Sequence, residues 1–389
     1  MKKPDSKKLL VVCRTLPPLI VGSSILMSNL INNYKGKVYA IGGWQYEAKS
    51  DKSFKLNCET TYVKFNLKIF QRIFEKYSYK FIGYIKNKIK QKAKEKKADY
   101  IMGVYPNSVF FVAAFLAAKE ENIPFIAYMH DLWQENYTAE SINGKLAAEY
   151  EKEILTNSYK VFCMTGIQKN FYDEKYNRCL KTDLFPHSIS DDKLEGFELK
   201  NSYTVSGSAK ILYTGNISNG MNLDAIKVLI KSLDYLGGDI KVTILCSFDN
   251  ETLKRYGIFD ERITYNWVDM KEAFEMQMKS DILFLPLSFK NCSPLEVKTV
   301  YATKALDYLV SGTPILVFSP PESFHTVSAK ESGWGYVVEK DDAELLAESI
   351  KKLLGNNELK KNLVFNSFEE AKRRRSSLIA EKLYKTINN

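Results

Sequence analysis

The sequence predicts an α/β fold: two doubly wound, parallel-sheet, Rossmann-like domains facing each other across a cleft. Three observations carry that reading. Short β-rich runs alternate with longer helical patterns, as right-handed βαβ units require. The alternation runs through once and restarts near residue 210. The chain has 389 residues, 45% apolar and 26% charged, which suits two domains with full cores. The expected divisions are 1–187, 188–365, and a C-terminal helix at 366–389 placed to pack back on the first domain.

The apolar run 8–13 is the first strand, followed by a Pro17-Pro18 and Gly22 loop and a helix at 23–33. A second strand at 38–41 closes on Gly42-Gly43. Amphipathic helical patterns cover 62–77 and 79–97. A strand at 100–105, a helix at 108–122 and a strand at 125–129 follow, with Pro106 and Pro124 at the joins. A helix near 140–157 precedes strands at 160–164 and 182–185. The polar stretch 186–209 is the linker. The second series has strands at 210–214, 240–246, 262–266, 281–287, 314–318 and 335–338. Its helices fall at 222–236, 270–279, 303–311 and 341–354, and a last helical region spans 357–387. In such sheets ligands bind beyond the carboxyl ends of the strands.

Composition narrows the function. The six cysteines, at 13, 58, 163, 179, 246 and 292, form no C-x-x-C pair, and Cys13, Cys163 and Cys246 sit in apolar runs. They read as buried thiols in a reducing compartment rather than a disulfide framework. No apolar run approaches the roughly 18 residues of a membrane span, and 9–13 is too short for a signal segment, so a cytoplasmic location is expected. Three histidines leave little material for an imidazole metal site. The net charge of +10 favours anionic partners such as nucleotides, phosphates or an anionic membrane surface. No nucleic-acid recognition motif accompanies it, so nucleic acid is not expected.

The most informative segment is 281–319. A buried strand emerges into a loop that ends at Thr303-Lys304, where a helix begins; it stops at Gly312, a natural left-handed position. A helix start offers unpaired N–H groups and a positive dipole end, which suit a diphosphate, and Lys298 and Lys304 add full charges. Asp307, one turn along, offers two oxygens to vicinal hydroxyls. The competing reading makes Lys304 and Asp307 an ordinary surface pair and Thr303 a plain N-cap.

This segment resembles the donor-binding stretch of family 4 glycosyltransferases, which have the GT-B fold. The resemblance rests on Thr303-Lys304-Ala-Leu-Asp307-Tyr308-Leu309-Val-Ser-Gly312-Thr-Pro314 and continues through Pro320-Pro321 and Glu331-Ser-Gly333-Trp-Gly335. Tyr213-Thr-Gly215-Asn216 fits the start of the second domain. In the first half only the element order and His130-Asp131-Leu-Trp133 carry it. The resemblance implies a sugar transferred from a nucleoside diphosphate donor, a UDP-sugar, to a saccharide or lipid-linked glycan, with retention. Asp307 then holds the ribose, while Thr303, Lys304 and Lys298 hold the diphosphate. Gly215-Asn216 approach the donor, and Trp267-Val268 offer backbone groups to the base. His130 works at the reaction centre, Asp131 and Trp133 line the acceptor side, and Gly22-Ser23 form a loop near the acceptor.

Two departures stand out. The first of two acidic positions common in the family falls on Thr299, with Glu296 three residues earlier. The basic pair common after the second domain's first strand is replaced by Gly215-Asn-Ile-Ser-Asn-Gly220. No D-x-D pair occurs, so neither a metal nor any other cofactor is expected. His187 reads as structural, and His325 has no assigned role. A sugar-nucleotide 2-epimerase and a non-catalytic subunit with a degenerate pocket are the alternatives.

Between Lys80 and Lys97 there are eight lysines and one acid, Glu95. Phe81, Ile85, Ile89 and Ala93 form one apolar stripe among them. The helix reads as docking on an anionic membrane surface, or as a solvated helix whose stripe packs on the sheet.

Overall fold

The computed structural model describes residues 6–43, 54–64, 77–237, 240–290 and 293–388. The chain forms two compact units, Met1–Ser190 with Arg374–Asn389, and Asp191–Arg373. The divisions therefore fall after Ser190 and Arg373 rather than at 187 and 365.

The first unit is built on strands β1 (Lys8–Val12), β2 (Lys37–Gly43), β3 (Glu59–Val63), β4 (Tyr100–Tyr105), β5 (Phe125–Met129), β6 (Lys160–Cys163) and β7 (Thr182–Leu184). They form one sheet in the order β3-β2-β1-β4-β5-β6-β7, with every pair parallel. Four of the five residues of β1 and all of β5 are buried, as central strands covered on both faces must be. The helices are α1 (Gly22–Asn32), α2 (Ile82–Lys96), α3 (Ser108–Glu120), α4 (Ile142–Asn157) and α5 (Gly166–Lys175). Asn107, Ser141 and Thr165 cap the last three by accepting first-turn N–H groups. The helical pattern read over 62–77 fails at its start. Thr60, Thr61, Tyr62 and Val63 have β-branched or aromatic side chains and pair with β2, and 65–76 lie outside the described residues.

The second unit contains α6 (Asp191–Glu195), α7 (Leu223–Ser232), α8 (Asn250–Tyr256), α9 (Met270–Met278), α10 (Pro294–Thr299), α11 (Lys304–Leu309), α12 (Phe324–Ser332), α13 (Ala343–Gly355) and α14 (Asn357–Lys372). Its strands are β8 (Ala209–Thr214), β9 (Ile240–Leu245), β10 (Ile263–Asn266), β11 (Ile282–Pro286), β12 (Ile315–Phe318) and β13 (Tyr336–Val338). The sheet order is β10-β9-β8-β11-β12-β13, again parallel throughout. Ile226 and Leu229 of α7, Ile244 of β9, Phe284 of β11, and Leu346 and Ile350 of α13 form the centre of its core, each fully buried.

The helical region read as 357–387 is two helices, broken at Arg373–Arg375. The second, α15 (Ser376–Asn388), belongs to the first unit. Ile189 N–H donates to Arg374 and Ser376 N–H to Ile189, and Asn33 Nδ2 reaches Ser376 Oγ at 2.9 Å. Lys7 N–H closes on Asn388 Oδ1 at 2.9 Å. No helix among the described residues is long and apolar enough to cross a membrane.

Candidate functional site

The second unit's site begins at the carboxyl end of β8. Tyr213, fully buried near that end, donates its hydroxyl to the Asn216 carbonyl at 2.6 Å. The same oxygen accepts from Asn222 Nδ2 at 2.9 Å and from Lys304 Nζ at 2.6 Å. Asn222 also bonds the Asn216 carbonyl and receives the Ser218 N–H, so the 215–222 loop is held from inside. Asp224 then accepts the N–H groups of Phe289 and Lys290, tying this loop to the one after β11. Two loops at the ends of neighbouring strands thus form one braced floor.

Lys304 stands on that floor. Its ammonium lies 4.1 Å from the Tyr213 ring centroid, a cation–π distance. Among the described residues no carboxylate lies within ion-pair distance of it. Desolvation lowers its pKa to about 7, although the residue as a whole keeps a partial solvent edge. An ammonium has three donors, and a phenol takes one. Gly215 makes the approach feasible: its φ is +122°, and a Cβ there would stand 3.0 Å from Lys304 Cε.

The rest of the predicted set divides. Asp307 does not pair with Lys304; its Oδ1 meets Lys193 Nζ of α6 at 2.7 Å, and Lys193 lies over the Phe274 ring. Thr303 is exposed, has helical dihedrals (φ −56°, ψ −29°) and caps nothing with its side chain, which corrects its reading as a plain N-cap. The helix it precedes has six residues, shorter than 303–311, and Gly312 takes φ +70° beyond its end. The expected loop before it contains α10, started by Pro294 at a first-turn position. Lys298 is partly exposed on α10, whereas Thr299 is buried and turns its hydroxyl back to the Leu295 carbonyl at 2.9 Å. Asn216 is exposed; Trp267, 53% exposed, and the partly exposed Val268 follow edge strand β10.

In the first unit His130 directly follows β5 and is 4% exposed; among the described residues Nε2 has no hydrogen-bond partner. Burial depresses its pKa to about 3, so the imidazole is neutral at any working pH. Its ring packs edge-on against Tyr128 at 4.4 Å and His187 at 4.8 Å. Asp131 is partly exposed. Trp133 is not a lining residue: it is fully buried, packs against Tyr105 and Phe111 at 5.4 Å each, and donates its indole N–H to Ser108 Oγ at 3.0 Å. Gly22 and Ser23 open α1, whose N-cap Val21 has no side-chain acceptor to give; Ser24 Oγ accepts the Val21 N–H instead.

Sequence reasoning missed the partners that hold these groups. Glu151, a fully buried carboxylate, accepts the Gln134 N–H at 2.9 Å and the Tyr176 hydroxyl at 2.7 Å, and is paired with Lys175. Tyr172 receives the Trp133 N–H, so α4 and α5 clamp the loop after His130. A buried acid in an otherwise mixed helix was the available signal. Lys193 left none, because Asp307 is 114 residues away, and the bond of Tyr213 to Lys304 spans 91, whereas Asn222 bonds Tyr213, Asn216 and Ser218 within its own loop.

Most lysines of the basic helix have acidic partners. Lys86 and Lys90 are paired with Glu120, Lys90 and Lys94 with Glu121, and Lys92 and Lys96 with Glu59 and Glu95. The apolar stripe of Ile85, Ile89 and Ala93 is buried, as the solvated-helix reading requires. Lys80 and Lys88 instead stand over the exposed rings of Tyr77 and Tyr84.

Neither the protein-family models nor the curated proteins match this chain. Solved structures do. Sucrose-phosphate synthase from Thermosynechococcus elongatus is similar with a TM-score of 0.74 at 13% identity, covering 97% of this chain and 98% of that one. A glycosyltransferase from Rickettsia africae gives 0.69 at 15% identity over 99% of both chains. Anabaena HepE, solved in complex with UDP-glucose, gives 0.67 at 12% identity over 97% of this chain and 98% of its own. What this chain shares with them along nearly its whole length is the fold: the two-domain, Rossmann-like α/β architecture of GT-B glycosyltransferases.

Proposed function

We propose that this protein is a glycosyltransferase that takes a sugar from a UDP-sugar and transfers it to a saccharide or lipid-linked glycan. The observation that carries the reading is Lys304: an ammonium without a carboxylate partner, held by a phenol over a glycine loop at a strand's carboxyl end. A desolvated cation with unused donors favours an anion, and the departing UDP develops negative charge on its diphosphate oxygens. Lys304 meets that charge, which is electrostatic stabilisation of the leaving group. Lys298, on α10 after β11, and the exposed Asn216, in the loop after β8, both follow the carboxyl ends of neighbouring strands. Asp307 keeps its second oxygen for a ribose hydroxyl while its first meets Lys193. Trp267 and Val268 border the base.

His130 enters as a neutral hydrogen-bonding group, orienting the sugar rather than supplying a proton. Asp131 faces the acceptor. Retention of configuration rests on the family 4 resemblance. We assign charge compensation on the diphosphate to Lys304. The membrane contact, if the acceptor is lipid-linked, falls to Lys80 and Lys88 with Tyr77, Tyr79 and Tyr84, whose rings are exposed.

The test is calorimetric titration of UDP and UDP-glucose, with magnesium and with EDTA. Binding in EDTA, weakened about 10- to 100-fold by Lys304→Ala, is the expected result for loss of charge-assisted hydrogen bonds. Wild-type protein that ignores UDP, GDP and ADP at millimolar concentration removes the donor site.

A further inference from the structure

The helix that carries Lys304 starts without a side-chain cap. It is six residues long, and Thr303 before it supplies none. Yet Lys304 must reach the Tyr213 hydroxyl to 2.6 Å, and a one-residue slip would carry the ammonium around the helix. Tyr308, one turn along, is tied to the Thr214 N–H at 2.9 Å, and the peptide group at Ala302 braces the start itself. Its carbonyl accepts the Ala305 N–H at 2.9 Å, the first bond of the turn. Its N–H donates to Nε2 of His325, also at 2.9 Å.

His325 is itself immobilised. It is fully buried at the start of α12, beside Tyr301 at 5.0 Å and Trp334 at 6.3 Å between ring centroids. Ser323 caps its helix through the Thr326 N–H, and Trp334 donates its indole N–H to Ser328 on the same helix. Because Nε2 accepts, the ring proton resides on Nδ1. A donor at Nε2 would face the Ala302 N–H and push it away.

We infer that His325 is a positioning residue for the anion site: it clamps the Ala302 peptide, sets where α11 begins, and thereby delivers Lys304 to Tyr213 and the diphosphate. The inference rests on the proposed donor site for its ligand, but not for its geometry. It acts through the backbone and touches no substrate.

Two variants and two readouts test it. His325→Gln keeps an acceptor of similar reach, and His325→Phe keeps the aromatic packing without one. The first readout is UDP-glucose affinity; its diphosphate diester does not titrate near neutrality. The second is the titration of Lys304, followed by NMR of the reductively 13C-methylated protein. We expect His325→Phe to weaken UDP-glucose about tenfold, the scale of one lost hydrogen bond. Its Lys304 titration should move up from about 7 toward the ordinary lysine range, while His325→Gln stays near wild type in both. If His325→Phe does not fold, His325→Asn, too short to reach Ala302, replaces it. Unchanged affinity and an unmoved Lys304 titration in the acceptor-less variant overturn the inference, as does equal loss in the Gln variant. Should wild-type protein bind no nucleotide, the donor-site reading falls, and the Lys304 titration alone decides on the clamp.

Discussion

If the proposed donor site holds a nucleotide, a lysine whose pKa is about 7 makes that binding a function of pH. With Lys304 protonated the site is cationic, and a bound diphosphate raises its pKa again. Affinity for UDP-glucose is therefore greatest at and below neutrality and falls as pH rises from 7 toward 9. Lys304→Arg should flatten that slope, since a guanidinium stays charged throughout. The same group acts oppositely on stability. Its folded pKa lies below the ordinary 10.5, so the unfolded chain binds more protons between the two values, and this contribution to stability rises with pH across that window. Gly215→Ala tests the approach of the lysine. It places a Cβ at φ +122° and 3.0 Å from Lys304 Cε, and should cost about 1–3 kcal/mol of stability by denaturant titration. Lys304 and Gly215 were legible because a strand, a glycine turn and a helix start leave a periodic trace. Tyr213 as the lysine's partner was not, since the two are 91 residues apart. Trp133 misled for a related reason. An aromatic just past a strand end fits a lining role as well as a core one, and only Ser108, on another helix, decides between them.

Secondary-structure elements were read well where their own pattern determined them and poorly where a neighbour did. The lysines of α2 are a case in point: their spacing is visible, but their carboxylates come from β3 and the end of α3. Exchanging Lys86, Lys90 and Lys94 for glutamate sets acids against Glu120 and Glu121. The expected outcome is a lower Tm for the whole protein, with no special loss of vesicle binding beyond that of unfolding. Reversing Lys80 and Lys88 instead should spare Tm and reduce binding to anionic vesicles at physiological salt, where the Debye length is about 8 Å. Glu120 also gives the helix pair an acid limit. Lys86 and Lys90 hold its pKa near 2, so its contribution is present above the ordinary glutamate value of 4.5 and is lost as pH falls from there toward 2. A Tm profile that falls less steeply over that range in a Glu120→Gln variant than in wild type locates the effect.

For the molecule as a whole, the two-sheet architecture was evident from the restart of the alternation. The last helix was expected to pack back on the first domain, and the bonds of Ile189 with Arg374 and Ser376 tie it into that unit; what the sequence pattern hid was the break at Arg373–Arg375 that splits it from the helix before. The contiguous unit, 191–373, should fold when expressed alone, showing a cooperative thermal transition and, if the donor site is sound, UDP-dependent stabilisation. Residues 1–190 alone lack α15 and should melt earlier and less cooperatively than the same segment given 374–389 as a peptide.

That the first unit is assembled from both ends of the chain imposes an order in time. During synthesis Lys7 waits for Asn388, and Asn33 for Ser376. Roughly 200 residues must be translated between the end of the first segment and the end of the last, and at about 5–20 residues per second that is about 10–40 s. In that interval the unit made first stands unfinished, the side of α1 that receives α15 still uncovered, while the unit made second can complete itself. A ribosome stalled on an added linker long enough to bring residue 373 out of the exit tunnel should thus carry a protease-resistant 191–373 behind a protease-sensitive beginning, the reverse of the order in which they emerged.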